Sequence, residues 1–118
     1  MPTLTAEKLF APANLINGVW SFEGDGTFNT VVDKYHGTEL ARVPNAAEGQ
    51  MEEAIAAAYG SREALRKMSA GERSTKLEAL AALIAKHEDA IADLMVKEAG
   101  KPIGAARVEV ARSITTVR

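Results

Sequence analysis

The stretch VKEAGKP, from Val96 to Pro102, decides how the helical part of this chain is divided. Its Gly-Lys pair resembles part of a phosphate-binding loop, but such a loop also needs an earlier glycine at a fixed spacing and a Ser or Thr directly after the Lys. Met95 and Pro102 occupy those two positions. The stretch therefore predicts a helix stop, in which Gly100 adopts the left-handed conformation and Pro102 prevents the helix from continuing.

Helical periodicity runs on both sides of this stop. Before it, Ile91, Leu94 and Met95 share one side of a predicted helix. After it, apolar residues at helical spacing form one more stripe: Ile103, Ala106, Val110, Ile114 and Val117. The sequence ends while this periodicity is still running, and we therefore expect the chain to be part of a larger domain.

Two further helices are predicted ahead of this pair. Asn45 is the expected N-cap of the first, with Glu48 as its reciprocal partner, and Ser69 and Glu72 form a capping box at the start of the second. The apolar stripes expected to be buried are Met51, Ala54, Ile55, Ala58 and Leu65 in the first helix and Leu77, Leu80, Ala81 and Ile84 in the second.

Two β-hairpins are predicted before the helices. Asn17 and Gly18, within LINGVWSF, are the pair that type I′ hairpin turns prefer, because both turn positions need a positive φ. Downstream, the run TFNTVV and the return strand TELARV enclose the turn DKYHG. We therefore divide the chain into an N-terminal extension, residues 1–13, a β-hairpin segment, residues 14–44, and a helical segment, residues 45–118.

The composition is that of an ordinary folded protein, with 47% hydrophobic and 25% charged residues among 118. A net charge of -2 provides no positive surface of the kind that attracts nucleic acids or anionic membranes. The absence of cysteine excludes disulfides, thiolate metal sites and a cysteine nucleophile within these residues. We find neither a signal-peptide pattern nor a run as long as a membrane span, and we expect a cytoplasmic protein without nucleic-acid or membrane partners.

The two histidines do not form a metal-binding pattern. His87 and Glu88 begin like the zinc-protease motif, but Ile91 stands where the second histidine is needed. His36 lies in a predicted turn. Isolated histidines without a shared spacing are more often surface residues than ligands, so we predict no metal ligand.

The remaining candidate groups also have structural explanations. Acidic residues in turns and strand ends are expected to face solvent, where nothing raises a pKa for acid–base work: Glu23, Asp25, Asp33 and Glu39. The basic cluster between the first two helices is interleaved with glutamates and is interpreted as a solvated face: Arg62, Arg66, Lys67, Arg73 and Lys76.

The sequence Gly24-Asp25-Gly26 lacks the third glycine and the following helix of a dinucleotide-binding loop, so we interpret it as a connector between the hairpins. Trp20 is interpreted as a core anchor, because a single aromatic on a hairpin usually packs. The sequence therefore predicts no catalytic, cofactor-binding or metal-binding residue in this chain.

Read in order, the motifs resemble the amino-terminal part of the NAD(P)-dependent aldehyde dehydrogenase family. They are LINGVW at residues 15–20, TF at 27–28, GTELARVP at 37–44, AIAAA at 54–58, LRKMSAGER at 65–73 and KEAGKPIGAARVEV at 97–110. The resemblance covers roughly residues 14–118. The chain departs from it where Asp33-Lys34 replaces a common Asn-Pro and where Gly104-Ala105 replaces a common Glu-Ala.

The resemblance implies an α/β fold with a doubly wound cofactor domain, in which this chain supplies two N-terminal β-hairpins and about four α-helices as scaffold. It implies a much longer parent enzyme that oxidises an aldehyde to a carboxylic acid with NAD or NADP. Such enzymes use a thiolate nucleophile, a basic glutamate, an oxyanion-holding asparagine and a glycine-rich cofactor motif, all of which follow the matched stretch. Glu98 resembles an acidic position that lies near a structural cation in some relatives.

Two hypotheses follow. In the first, this chain is the N-terminal scaffold of an aldehyde dehydrogenase, inactive and without bound cofactor when alone, whose partner is the remainder of the parent polypeptide. In the alternative, it is a small helical protein-interaction module without enzymatic activity, whose exposed stripes bind a partner. Because uncovered apolar faces associate, we also expect a homo-oligomer.

Overall fold

Two antiparallel β-hairpins occupy the first part of the chain in the computed structural model, which describes residues 12–118. Hairpin 1 consists of β1, Asn14–Ile16, and β2, Val19–Ser21, with Leu15 opposite Trp20. Asn17 has a φ of 49° and Gly18 a φ of 80°, as the type I′ turn requires. The predicted hairpin is therefore confirmed. The predicted N-terminal extension, residues 1–13, falls almost entirely outside the described residues.

Hairpin 2 consists of β3, Phe28–Val32, and β4, Glu39–Pro44, and agrees with the predicted strands. It is joined to the preceding connector by backbone hydrogen bonds that Asp25 donates to the Asn45 carbonyl, at 2.9 Å, and Asn45 to the Thr27 carbonyl, at 3.0 Å. Hairpins 1 and 2 form separate two-stranded sheets, each of which exposes about half of its strand residues.

Four helices follow in the described part of the chain: α1, Glu48–Lys67, α2, Ala70–Lys86, α3, Glu88–Ala99, and α4, Ile103–Val117. The predicted order of two hairpins and four helices is thus confirmed. Gly100 ends α3 with a φ of 67°, and its backbone N–H donates to the Val96 carbonyl at 2.9 Å. The predicted helix stop is confirmed as well.

One helix cap matches its prediction and one does not. The Ser69 hydroxyl accepts a 3.2 Å hydrogen bond from the Glu72 N–H, and the Glu72 carboxylate accepts a 2.8 Å bond from the Ser69 N–H. The predicted Asn45 cap is wrong, because α1 begins after Ala47. The Asn45 amide instead bonds Asn29 at 2.6 Å and Thr27 at 2.8 Å, which fixes it to hairpin 2.

The core lies among α2, α3 and α4 and is built from small side chains. Its fully buried apolar residues are Ala81, Ala92, Ala106 and Val110. Small residues at these positions let the helices approach closely, but they bury little apolar area. The expected burial is wrong for four residues of the α1 stripe and two of the α2 stripe, all of which are exposed: Met51, Ile55, Ala58 and Leu65, and Leu77 and Leu80.

The chain has much more surface than a closed fold of its mass. Its accessible area is 8667 Å², whereas a compact monomer of 12.6 kDa exposes about 6,200 Å². The radius of gyration of 16.8 Å likewise exceeds the roughly 13 Å of a compact domain of this length. Most of the large apolar side chains that are exposed lie on or beside hairpin 1, α1 and α2.

Candidate functional site

The most extensive candidate site is the set of large apolar side chains that three elements leave exposed. We call it the open face and define it by the exposed large apolar residues of three elements: Leu15, Val19, Trp20 and Phe22 in and after hairpin 1, Met51, Ile55, Tyr59 and Leu65 on α1, and Leu77, Leu80 and Leu83 on α2. Monomeric soluble proteins seldom expose contiguous apolar patches of more than a few hundred Å². The open face is therefore suited to contact with another polypeptide surface.

Hairpin 1 holds its part of the open face in place by packing against α1. A shallow groove of about 380 Å³ lies between the two elements, with Leu15 and Ile16 on one side and Ala54, Ala57 and Ala58 on the other. The Gln50 amide donates to the Glu23 carbonyl at 3.1 Å and so ties the first turn of α1 to the end of the hairpin. Trp20 was expected to be a core anchor, but it is 56% exposed, so this expectation is wrong for the described residues.

The turn of hairpin 2 is the most strongly organised polar feature. The Asp33 carboxylate accepts hydrogen bonds from the Tyr35 N–H at 2.8 Å and the His36 N–H at 2.9 Å, and it lies 3.1 Å from the His36 Nδ1. The hydrogen bonds from the His36 backbone and ring, followed by that from the Tyr35 backbone, lower the pKa of Asp33 to about 2. Asp33 is only 5% exposed, so the expectation that it faces solvent is wrong.

This turn positions the neighbouring backbone against the helical segment. The Lys34 N–H donates a 2.8 Å hydrogen bond to the Lys97 carbonyl in the last turn of α3. Asp33 therefore has a structural role: it holds the chain in the turn from which Lys34 reaches α3. The Asp that precedes a Gly-containing turn is the sequence signal that could have identified this role, because Asp side chains commonly bond the backbone two residues on.

The other candidate residues are dispersed or exposed. His36 lies in the hairpin 2 turn and His87 at the junction of α2 and α3. Glu23, Glu39 and Glu98 are exposed. Across residues 12–118 no three His, Cys, Asp or Glu side chains lie close enough together to hold a metal ion.

The two glycine-containing candidates are Gly24-Asp25-Gly26 and Gly100-Lys101, and their side chains bond other residues of this chain. At Gly24 an added Cβ would lie 2.0 Å from the Asn45 carbonyl oxygen, so glycine allows a close backbone approach there. The Asp25 carboxylate accepts hydrogen bonds from the side chain and the backbone of Thr27, and these lower the pKa of Asp25. Lys101 pairs with Glu109 across the first turns of α4.

These arrangements do not fit a dinucleotide. A phosphate cradle needs several free backbone N–H groups that converge on one point, usually at the start of a helix after a buried strand. In residues 12–118 the Gly24-Asp25-Gly26 stretch instead joins the hairpins, and the Gly100 N–H is bonded to α3. Two residues of the basic cluster between α1 and α2 already have partners within the chain. Arg66 pairs with Glu63 at 3.1 Å, and Arg73 donates to the Met68 carbonyl at 2.9 Å.

Comparison with known sequences gives a consistent family match. The profile described as the aldehyde dehydrogenase family matches residues 20–118. The succinate-semialdehyde dehydrogenase (NADP+) of Escherichia coli strain K12 is 35% identical over 107 residues, which cover 91% of this chain and 22% of that enzyme. The 3-sulfolactaldehyde dehydrogenase of Pseudomonas putida is 28% identical over 117 residues, covering 99% of this chain and 23% of that enzyme.

Solved structures resemble the fold over nearly the whole chain. An aldehyde dehydrogenase from Brucella melitensis biovar abortus 2308 superimposes with a TM-score of 0.90 at 31% identity, covering 99% of this chain and 24% of that one. An NADP-dependent enzyme of E. coli gives a TM-score of 0.88 at 32% identity, covering 94% and 23% respectively. The chain thus spans less than a quarter of the length of these relatives. None of its described helices is long and apolar enough to cross a membrane.

Proposed function

This chain belongs to the aldehyde dehydrogenase family, and we propose that it is the amino-terminal scaffold of an oxidoreductase that oxidises an aldehyde to a carboxylic acid with NAD or NADP. The observation that carries this proposal is the combination of a match over residues 20–118 with coverage of only 22% of a relative's length. On this view the two hairpins and four helices brace an α/β cofactor domain whose remaining parts lie in further polypeptide.

The open face supports the scaffold role. The chain exposes roughly 2,500 Å² more than a compact monomer of its mass, and that excess is of the size buried in large obligate interfaces. We propose that the remainder of the parent polypeptide covers much of this surface. The domain division at residues 14–44 and 45–118 is part of the same proposal, with the helical segment as one portion of the cofactor-binding domain.

The names of the relatives suggest a class of substrate. Succinate-, glutarate- and malonate-semialdehyde dehydrogenases and a 3-sulfolactaldehyde dehydrogenase are all among them. Each of those aldehydes carries an acidic group besides the aldehyde. We propose that the parent of this chain also oxidises an aldehyde with a second, acidic group, which residues outside this chain would recognise.

We place the cofactor site and the catalytic residues in the same further polypeptide. The related proteins include enzymes described as NAD-dependent and as NADP-dependent, so either cofactor fits the proposal. The glycines of this chain hold turns and a helix end, which is consistent with a cofactor site elsewhere. We expect calorimetry to detect no NAD or NADP binding by the 118-residue chain.

We also propose that the chain forms a homo-oligomer and resides in the cytoplasm. Exposed apolar side chains favour association, and closed twofold dimers are the commonest form that such association takes.

The test is an aldehyde oxidation assay on two proteins, the 118-residue chain and the product of the whole reading frame that encodes it. Aldehyde-dependent reduction of NAD or NADP by the longer product alone would support the proposal, with succinate semialdehyde preferred over benzaldehyde. A reading frame that ends at Arg118, together with a specific protein partner for the short product, would favour the interaction module instead. Turnover by the 118-residue chain itself would contradict the scaffold role.

A further inference from the structure

The helices α2, α3 and α4 have a core of their own. Ala81 is buried on α2, Ala92 on α3, and Ala106 and Val110 on α4. The half-buried apolar residues that pack on this core also come from α2 and α3: Ile84, Ile91, Met95 and Val96. Within residues 12–118, neither α1 nor hairpin 1 contains a buried residue.

Hairpin 2 belongs with these three helices. Its turn is bonded to α3 through the Lys34 N–H and the Lys97 carbonyl, which are 2.8 Å apart. In the described part of the chain, no hydrogen bond or ion pair joins hairpin 1 or α1 to α2, α3 or α4. We call hairpin 1 and α1 together the strap.

One side chain makes the main polar contacts inside the strap. The Gln50 amide oxygen accepts a 2.9 Å hydrogen bond from the Ala47 N–H. The Gln50 NH₂ group donates to the Glu23 carbonyl at 3.1 Å and to the Ser21 hydroxyl at 3.3 Å. Gln50 therefore ties the start of α1 to the end of hairpin 1.

Apolar packing inside the strap is weak. Hairpin 1 faces α1 across a shallow groove, and the residues with which α1 lines that groove are small: Ala54, Ala57, Ala58 and Ser61. Such side chains bury little apolar area. Most helical stability in proteins comes from the packing of an apolar face, so α1 is held by few contacts. Gly60 lowers the intrinsic stability of the helix further.

Both segments that lead into the strap are fixed at Asn45. The Asn45 carbonyl accepts a 2.9 Å hydrogen bond from the Asp25 N–H, and the Asn45 N–H donates to the Thr27 carbonyl at 3.0 Å. The Asn45 side chain bonds Asn29 and Thr27 as well. The connector after hairpin 1 and the residues before α1 thus start from one place on hairpin 2.

We propose that the strap opens as a unit of its own while hairpin 2 and the three later helices stay folded, and that Gln50 holds the strap closed. Local opening occurs most easily where few apolar side chains are buried and backbone hydrogen bonds lie near solvent. The strap meets both conditions. Asn45 is the fixed point about which it opens.

Amide hydrogen exchange of the dilute, monomeric 118-residue chain tests the proposal. We expect the amides of α1 to exchange about tenfold or more faster than those around Ala92 and Val110. Gln50→Ala should accelerate exchange in the strap about tenfold further and change α3 and α4 by less than about twofold.

Glu53→Ala is the matched control. It removes an exposed side chain from the same helix three residues further on, and we expect it to change neither group by more than about twofold. Equal effects of Gln50→Ala and Glu53→Ala on the strap would overturn the role of Gln50.

Val110→Ala gives the reciprocal change. It removes buried methyl groups from the core and should accelerate exchange in α3 and α4 about tenfold. The strap amides should change little, because they already exchange through their own opening. If Val110→Ala does not fold, the comparison of Gln50→Ala with Glu53→Ala still decides the question. Parallel changes in both groups of amides would show one cooperative unit and would overturn the proposal.

The separate opening of the strap does not depend on the proposed enzymatic activity. Its closure in the longer protein rests on the proposed function, in which further polypeptide covers the open face. We then expect the strap amides of the whole reading-frame product to exchange as slowly as those of α3 and α4. Fast strap exchange in that product would contradict the proposed cover, whereas uniform exchange in the 118-residue chain would contradict the separate strap.

Discussion

The backbone N–H of Lys34 donates a 2.8 Å hydrogen bond to the carbonyl oxygen of Lys97. The bond joins the turn of hairpin 2 to the last turn of α3, where the carbonyls have no partner within the helix. A Cβ at Gly100 would lie 3.2 Å from the Cβ of Lys34, so the same turn also packs against the helix stop. Hairpin 2 and the α3–α4 junction therefore support each other.

Substitution of the helix-stop glycine tests this junction. Gly100 has a φ of 67°, a conformation that costs a residue with a Cβ about 1–2 kcal/mol. We expect Gly100→Ala to lower the free energy of unfolding by at least that amount, because the added methyl group also crowds Lys34. Urea denaturation of the monomer measures the change.

Gly60→Ala is the matched control. Gly60 lies inside α1, and apart from its chain neighbours and the backbone of its own helix nothing lies within 4 Å of an added Cβ. Alanine there should stabilise the helix by about 0.5–1 kcal/mol. Equal effects of the two substitutions would contradict the account of the junction.

The Asp33 turn should make stability depend on pH in the acid range. The pKa of Asp33 is lowered from 3.8 to about 2 in the folded chain, so folding favours the ionised form. Its contribution is fully present above about pH 4 and is lost as the pH falls towards 2. We expect Asp33→Asn to be less stable than the parent chain at pH 7 and to approach it near pH 2.

Denaturation curves at a series of pH values check this expectation. Asp93→Asn, at an exposed position on α3, serves as the control and should differ little from the parent chain across the range. A constant difference between Asp33→Asn and the parent chain from pH 7 to pH 2 would show that the carboxylate charge has no part in the turn.

Removal of the Ser69 hydroxyl tests the start of α2. Ser69→Ala leaves the Glu72 N–H without its side-chain acceptor, and we expect a loss of about 1 kcal/mol in the free energy of unfolding. Ser69→Asp should keep the cap and lose much less. Ser113→Ala, inside α4, is the control; a loss there as large as at Ser69 would argue against a specific capping effect.

Local signals in the sequence were sufficient for one hairpin turn, one helix start and one helix end. Asn17-Gly18 specifies its turn through backbone conformation alone, and Ser69 and Glu72 satisfy each other within one helical turn. Gly100 ends its helix for the same kind of local reason. Each of these features depends on neighbours a few residues away, which a sequence displays directly.

Features that depend on distant contacts were predicted less well. Asn45 looked like an N-cap, but its amide is held by Thr27 and Asn29, which the sequence places far upstream. Asp33 looked solvent-exposed, but its side chain is buried in the turn that it organises, and the next residue, Lys34, bonds to α3. Periodicity showed which face of α1 is apolar; it carries no information on what, if anything, covers that face.

The scaffold account is tested most directly by comparing the solvent access of the open face in the 118-residue chain with that in the product of the whole reading frame. Hydroxyl-radical footprinting reports access at Trp20, Met51 and Tyr59, with the half-buried Met95 as an internal reference. The account predicts rapid oxidation of the first three in the dilute, monomeric 118-residue chain and clear protection of the same residues in the product of the whole reading frame. Equal oxidation rates in both proteins would contradict it.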